Sequence, residues 1–317
     1  MEALWFFVKT IFFFLLGFAI LHTIVTHFIL LYEMRLKYLQ DGHKQQIGFL
    51  ILLKSALVEI FCNFARNSTK LALILYSKIF SKLQNLKSNT EGRTTSENNT
   101  SVNKNPASGT PILLIHGYTQ DQTDWVWFKH KLRKNNLGPL YSLNLKPHFA
   151  SMVQLSDLLK KKIEEIKAET NNSNIILIGH SMGGLVGSYY TENLANPGEV
   201  LAVITLGAPF QGTKMVALGY GQSVKEMAPH SPFLRELTQK IKSSSIKYHH
   251  IASKIDNIII PWDSAFPSED YLENNLPNNQ LSLDNHLILG DHGHLALLIS
   301  PRVINQVVKW LKISASD

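Results

Sequence analysis

The chain has 317 residues, of which 45% are hydrophobic and 17% charged, with a formal net charge of +7. This is enough apolar material for a large core, with some left over for a membrane. The charge is unevenly placed: residues 1–86 hold nine Lys/Arg and four Asp/Glu, residues 87–109 three and two, and residues 110–317 nineteen and eighteen. A basic excess confined to the apolar N-terminal part suits an anionic lipid surface. No recognition-helix or finger pattern accompanies it, so nucleic acid is not an expected partner. The single cysteine, Cys62, excludes an intramolecular disulfide and a zinc-finger pattern, and its apolar neighbours Ile60 and Phe61 predict a small buried side chain.

The first element is an apolar run from Ala3 to Tyr32 in which Lys9 is the only charged residue. About 20 such residues suffice for a helix to cross a bilayer, and Trp5 and Tyr32 suit the two interfaces. The run is too long for the core of a cleaved signal peptide. It is followed by Arg35, Lys37 and Lys44, and reads as a retained anchor. A second apolar stretch, Ile47 to Ala65, carries Lys54 and Glu59 in its middle, which weighs against a second crossing. A third, Thr69 to Leu86, has helical apolar spacing with Lys70, Lys78 and Lys82 along one side. These two stretches are expected either to lie on the membrane or to pack on each other or on the catalytic domain as ordinary amphipathic helices.

Residues 87–109 contain one strong hydrophobe, Val102, and read as a flexible polar linker. The expected organisation is therefore a membrane-anchoring helical region at 1–86, the linker at 87–109 and a catalytic domain at 110–317. In the last of these, strands are predicted at Pro111–Ile115, Leu140–Leu145, Asn174–Ile178, Leu201–Leu206 and Lys247–Ala252. Helices are predicted at Phe149–Glu169, Met182–Asn193 and Arg302–Lys312. Continuous apolar strands alternating with helices imply an α/β fold, with a mostly parallel sheet covered on both faces.

The chemistry is concentrated in four segments. Gly179-His180-Ser181-Met182-Gly183 matches Gly-x-Ser-x-Gly between a predicted strand and a predicted helix. In that context a serine sits on a sharp turn with its hydroxyl exposed and the helix N-terminus behind it, which makes Ser181 the candidate nucleophile. His116-Gly117-Tyr118 follows the first strand of the domain, where this arrangement supplies half of an oxyanion hole. The expected donors are the backbone N–H groups of Met182 and Tyr118, with His116 as a structural member of the loop. Asp256 follows the strand ending at Ala252 and is placed to orient a histidine; Asp263, seven residues later, is the second candidate. His294, in Gly290-Asp-His-Gly-His294-Leu, precedes the closing helix and completes the order Ser, Asp, His; His292 is the alternative. Residues Pro209 to Ser245 are long for a connection and are candidates for a cap lining an acyl pocket, or for ordinary packing on the sheet. The Trp125–Phe128 cluster reads as core.

Gly179-His-Ser-Met-Gly-Gly184, His116-Gly117-Tyr118, Gly207-Ala-Pro-Phe-Gln-Gly-Thr213 and Gly293-His-Leu-Ala-Leu297 resemble bacterial lipases and esterases of the α/β-hydrolase superfamily. The Gly-Ala-Pro segment is similar to one that follows the sixth strand in triacylglycerol lipases. The resemblance covers roughly Thr110 to Leu311 and not residues 1–109. It implies the α/β-hydrolase fold, a triad of Ser181, Asp256 and His294, oxyanion donors at Tyr118 and Met182, and no cofactor or metal. The expected activity is cleavage of carboxylic esters, lipid or lipophilic, at a membrane. Alternatives are a thioesterase, phospholipase or acyltransferase on the same fold, or a non-catalytic membrane-anchored binding protein. The chain departs from secreted lipases in its long membrane-proximal region.

Overall fold

A computed structural model describes residues 2–41, 48–88, 109–268, 282–283 and 285–314. The expected linker at 87–109 lies almost wholly outside these residues. The N-terminal part is a helical hairpin, α1 (Glu2–Asp41) and α2 (Phe49–Ser88). The second and third apolar stretches, expected to be separate, form one helix. The reason is plain in the sequence, since residues 49–88 contain neither glycine nor proline to stop it.

The remaining elements alternate as expected. They are β1 (Ile112–Ile115), α3 (Val126–Lys134), β2 (Leu140–Leu143), α4 (Met152–Thr170), β3 (Ile175–His180), α5 (Met182–Asn193), β4 (Val200–Leu206), α6 (Gln222–Glu226), α7 (Pro232–Lys242), β5 (Lys247–Ser253), β6 (Ser282–Leu283), β7 (His286–Leu289) and α8 (Pro301–Ser314). The described strands form one sheet in the order β2-β1-β3-β4-β5-β7-β6. Every pairing is parallel except β6 with β7. The helix expected from Phe149 starts at Met152 because Ser151 caps it, accepting from Gln154 N while Gln154 returns a bond to Ser151 N.

Strand alternation feeds two cores. Leu113, Ile115, Ile175 and Leu177 point to one face and pack with α4, α5 and α7. Ile112, Leu114, Ile176 and Ile178 point to the other and meet Trp125 and Phe128 near α3 and Val303, Val307 and Trp310 of α8. Double-sided burial is why the strands read as unbroken apolar runs. Trp125 and Phe128 are core as expected, whereas Val126 and Trp127 between them are exposed. Trp310 is 1% exposed and stacks on His249 at 4.6 Å. Trp310→Ala is expected to cost about 3–5 kcal/mol, read by chemical unfolding of the full chain.

The hairpin inverts the usual pattern. On α1 the buried positions among the described residues are Ala19, Thr23, Thr26, His27 and Leu30, a single helical face, while Phe6, Phe14 and Phe28 are exposed. On α2 the buried positions among the described residues are Ser55, Glu59 and Asn63, again one face, while Phe49, Leu50, Leu57 and Phe61 are exposed. Polar groups turn inward and aromatic and aliphatic groups outward. Trp5–Leu36 is, among the described residues, the one helix long and apolar enough to cross a membrane. Cys62 is half-buried rather than buried, and its thiol is pushed up to about 12 by burial and by the neighbouring Glu59.

The hairpin is docked on the sheet domain. Leu30 packs with Met215, Ile255 and Ile260. Thr26 Oγ1 accepts from Asn257 Nδ2 at 2.7 Å. Glu33 pairs with Lys214. Lys70 Nζ lies 3.0 Å from Asp121 and 3.4 Å from Asp124. Burial works against ionising Asp121, but the Thr123 hydroxyl and amide and the Lys70 ammonium outweigh it and hold the carboxyl down at about 2.

Candidate active site

β3 ends at His180 and α5 begins at Met182, so Ser181 alone makes the turn, at φ 55° and ψ −129°. A non-glycine residue in that region is strained, and the strain lifts the side chain out of the sheet. The close crossing explains the flanking glycines. A Cβ on Gly179 would lie 2.4 Å from Gly184 Cα, and one on Gly183 would lie 2.2 Å from the Ile115 carbonyl oxygen. Ser181 N donates to Leu206 O at 2.9 Å, fixing the turn against β4. The amide of Met182 opens α5, whose first N–H groups have no partner within the helix.

The loop after β1 presses on the same turn. A Cβ on Gly117 would be 2.7 Å from Ser181 Cβ and 2.8 Å from Gln120 Oε1. Gln120 Oε1 accepts from Gly117 N at 2.6 Å and from His180 Nδ1 at 2.8 Å, pinning the loop. His116 is structural, as expected. It is fully buried, its Nδ1 donates to Gly117 O at 2.8 Å, and its Nε2 accepts from Leu145 N at 2.9 Å. Burial lowers its pKa, which suits a neutral ring carrying one proton. His180 is held neutral more strongly still, by burial and then by its neighbour His294, whose ring centre is 4.4 Å away. Tyr118 reaches across to the segment before α6, where its hydroxyl donates to Tyr220 O at 2.8 Å and accepts from Tyr220 N at 3.1 Å. Gly117→Ala should drive this loop off Ser181 and lower kcat about 100-fold, with KM as the control.

Asp256 and His294 meet directly. Asp256 is 1% exposed, and its Oδ2 accepts from His294 Nδ1 at 2.8 Å. Its Oδ1 accepts from Ile258 N and Ile259 N, each at 2.8 Å. The proton is thereby held on Nδ1 of His294, leaving Nε2 as the basic nitrogen. The rival residues lie elsewhere: His292 Nδ1 pairs with Asp291 at 2.7 Å, and Asp263 belongs to the 3₁₀ turn Trp262–Ala265. Gly207, at φ +57°, opens the Gly-Ala-Pro segment. A Cβ there would lie 3.0 Å from Asp256 Oδ2 and 3.3 Å from His294 Cε1.

Ser181, His294 and Tyr118 line one cavity of about 240 Å³. Met215, Val216, Leu218, Val224 and Met227 form an apolar wall of it, while Leu234, Leu237 and Ile241 of α7 join the core. The 209–245 segment thus divides into a cavity-lining first half and a packed second half. The hairpin supplies His22, Glu59, Asn63 and Arg66 to the same cavity. Sequence reasoning missed these residues, together with Gln120 and Asn257. Asn257 is fully buried and its Oδ1 accepts from His294 N at 3.0 Å. No spacing rule marks an amide beside a carboxylate, but a glutamate inside an apolar run is a signal in its own right.

Glu59 is 1% exposed, and its carboxyl is pushed up to about 7, by burial first and also by the Asp256 charge, against the Ala296 amide and His294. Its unfolded value is the ordinary 4.5. The stabilisation relative to an always-charged group is fully present below pH 4.5 and is lost as pH rises through about 7. The loss amounts to about 3 kcal/mol. Raising the pH from 5 to 8 should therefore lower the Tm of the native chain more than that of Glu59→Gln.

The fold and this arrangement define an α/β hydrolase. The chain belongs to the family described as alpha/beta hydrolase of unknown function (DUF915), whose profile matches residues 120–313. Among solved structures it is similar to the Bacillus licheniformis lipase BlEst2 in mature form, at 16% identity over 66% of this chain and 94% of that one, with a TM-score of 0.51. It also matches the lin2722 product of Listeria innocua at 17% identity over 64% and 94%, with a TM-score of 0.48. A monoacylglycerol lipase of Paleococcus ferrophilus matches at 16% identity over 65% and 96%, with a TM-score of 0.49. The BlEst2 likeness agrees with the fold.

Proposed function

We propose that the protein is a membrane-anchored serine hydrolase that cleaves carboxylic esters of lipids or lipophilic molecules. The observation that carries this reading is the 2.8 Å bond between His294 Nδ1 and Asp256 Oδ2, with His294 lining the cavity that Ser181 also lines. Ser181 Oγ attacks the ester carbonyl carbon as His294 Nε2 takes its proton. Asp256 orients the imidazole and stabilises its charged form. The N–H groups of Met182 and Tyr118 receive the oxyanion. Collapse of the tetrahedral intermediate expels the alcohol with the proton from His294 and leaves an acyl-enzyme. Water, deprotonated by His294, releases the acid and restores Ser181. No cofactor or metal takes part in these steps.

The apolar cavity wall supports a lipophilic acyl group. The inside-out hairpin supports the membrane, because exposed aromatic and aliphatic side chains with polar groups turned inward fit a lipid solvent. In this reading α1 anchors the chain and 110–317 is the catalytic domain. Hydrolysis of short-, medium- and long-acyl p-nitrophenyl esters by the full chain in detergent micelles tests it. Activity with a preference for medium or long chains is expected; equal inertness towards every chain length would sink the proposal.

A further inference from the structure

The backbone around His294 is gripped from two sides by the hairpin. On one side His294 N donates to Asn257 Oδ1 at 3.0 Å, and Asn257 Nδ2 donates to Thr26 Oγ1 of α1 at 2.7 Å. On the other side Ala296 N donates to Glu59 Oε1 of α2 at 2.9 Å. The residue before His294 has no room for a side chain, since a Cβ on Gly293 would lie 2.4 Å from Glu59 Cγ. We propose that α2 completes the catalytic centre and that Glu59 is a positioning residue, clasping the loop that carries His294.

An acid is a costly choice for an apolar helix, and a well-packed aliphatic side chain would be at least as stabilising. Only an acceptor at this point satisfies the amide of Ala296, in the 3₁₀ turn Leu295–Leu298 that follows His294. The charged groups that act on the carboxyl are His294 and Asp256 from the sheet domain; Cys62 lies near it on α2, and His22 of α1 and Arg66 of α2 line the shared cavity. Burial pushes its carboxyl up to about 7, so the charge Glu59 presents to His294 changes as pH crosses that value.

The kinetic part of the test rests on the ester-hydrolase reading and uses the full chain in detergent micelles. Wild type, Glu59→Ala, Glu59→Gln and Gly293→Ala are compared for kcat and KM on p-nitrophenyl butyrate from pH 5 to 9, with amide hydrogen exchange over residues 290–298. Glu59→Ala should lose kcat about 30- to 100-fold with KM within about threefold, as expected for a misplaced catalytic group. Glu59→Gln keeps an acceptor and should recover at least about tenfold of that loss, while an ionisation near pH 7 disappears from its kcat profile. Gly293→Ala, which displaces the carboxyl without removing it, should fall with Glu59→Ala. Wild-type kcat in Glu59→Ala overturns the proposal, as does a Glu59→Gln protein as impaired as Glu59→Ala with an unaltered pH profile. Where Glu59→Ala does not fold, a wild-type pH profile in Glu59→Gln together with wild-type kcat in Gly293→Ala overturns it. If wild type cleaves no ester, the ester reading fails. Exchange then decides: faster exchange at Ala296 in Glu59→Ala or Gly293→Ala supports the clasp, and unchanged exchange in both overturns it.

Discussion

Ser181→Ala is expected to lower kcat on a p-nitrophenyl ester by about 10⁶-fold, leaving only the catalysis that binding and the oxyanion donors provide. The fold should survive, because the turn is held by main-chain bonds that alanine keeps, from Ser181 N to Leu206 O and from Gly184 N to Ser181 O. Loss of Oγ relieves no main-chain strain, since φ 55° at position 181 is imposed by the strand-to-helix crossing and remains. Stopped assays with matched circular dichroism read the effect. A variant that keeps more than about 1% of the activity would place the nucleophile elsewhere, because a triad nucleophile admits no such residue.

The Asp256→Asn variant should lose about 10⁴-fold in kcat through the wrong tautomer of His294. Oδ1 of Asp256 is committed to Ile258 N and Ile259 N. The asparagine carbonyl oxygen must therefore take that position, and its NH₂ group turns to His294. Nδ1 then has to accept, and the proton moves to Nε2, where the serine proton should go. Asp263→Asn, in the 3₁₀ turn Trp262–Ala265, and His292→Ala, whose imidazole pairs with Asp291, should each stay within about threefold of wild type. Comparable losses in Asp256→Asn and Asp263→Asn would reopen the choice of acid.

The parts of this architecture legible in the sequence are those in which one segment carries its own explanation. β3 and α5 announce themselves by an apolar run, a Gly-x-Ser-x-Gly turn and a helical repeat, all within residues 175–193. The pairing of Asp256 with His294 spans 38 residues but follows from chain order and from the short segments around each. The contacts from Glu59 to Ala296, 237 residues away, and from Thr26 to Asn257, 231 away, have no local signature. For the stretches that form α2 the sequence leaves membrane and packing roles both open, because hydropathy reports only how apolar a helix is, not which neighbour its polar stripe meets. β7 was missed for a related reason: His286-Leu-Ile-Leu is short, and its place beside β5 is set by tertiary pairing.

α2 runs unbroken past two different parts of the site. At Glu59 it holds the loop that carries His294, and at Lys70, eleven residues on, it pairs with Asp121 and Asp124, just beyond Tyr118 in the loop after β1. Eleven residues of α-helix measure about 16 Å, and a helix without glycine or proline resists bending. The helix is in effect a splint bolted to both loops. It sets the separation between the loop of His294 and the loop of Tyr118, so a force on its apolar outer face reaches both at once.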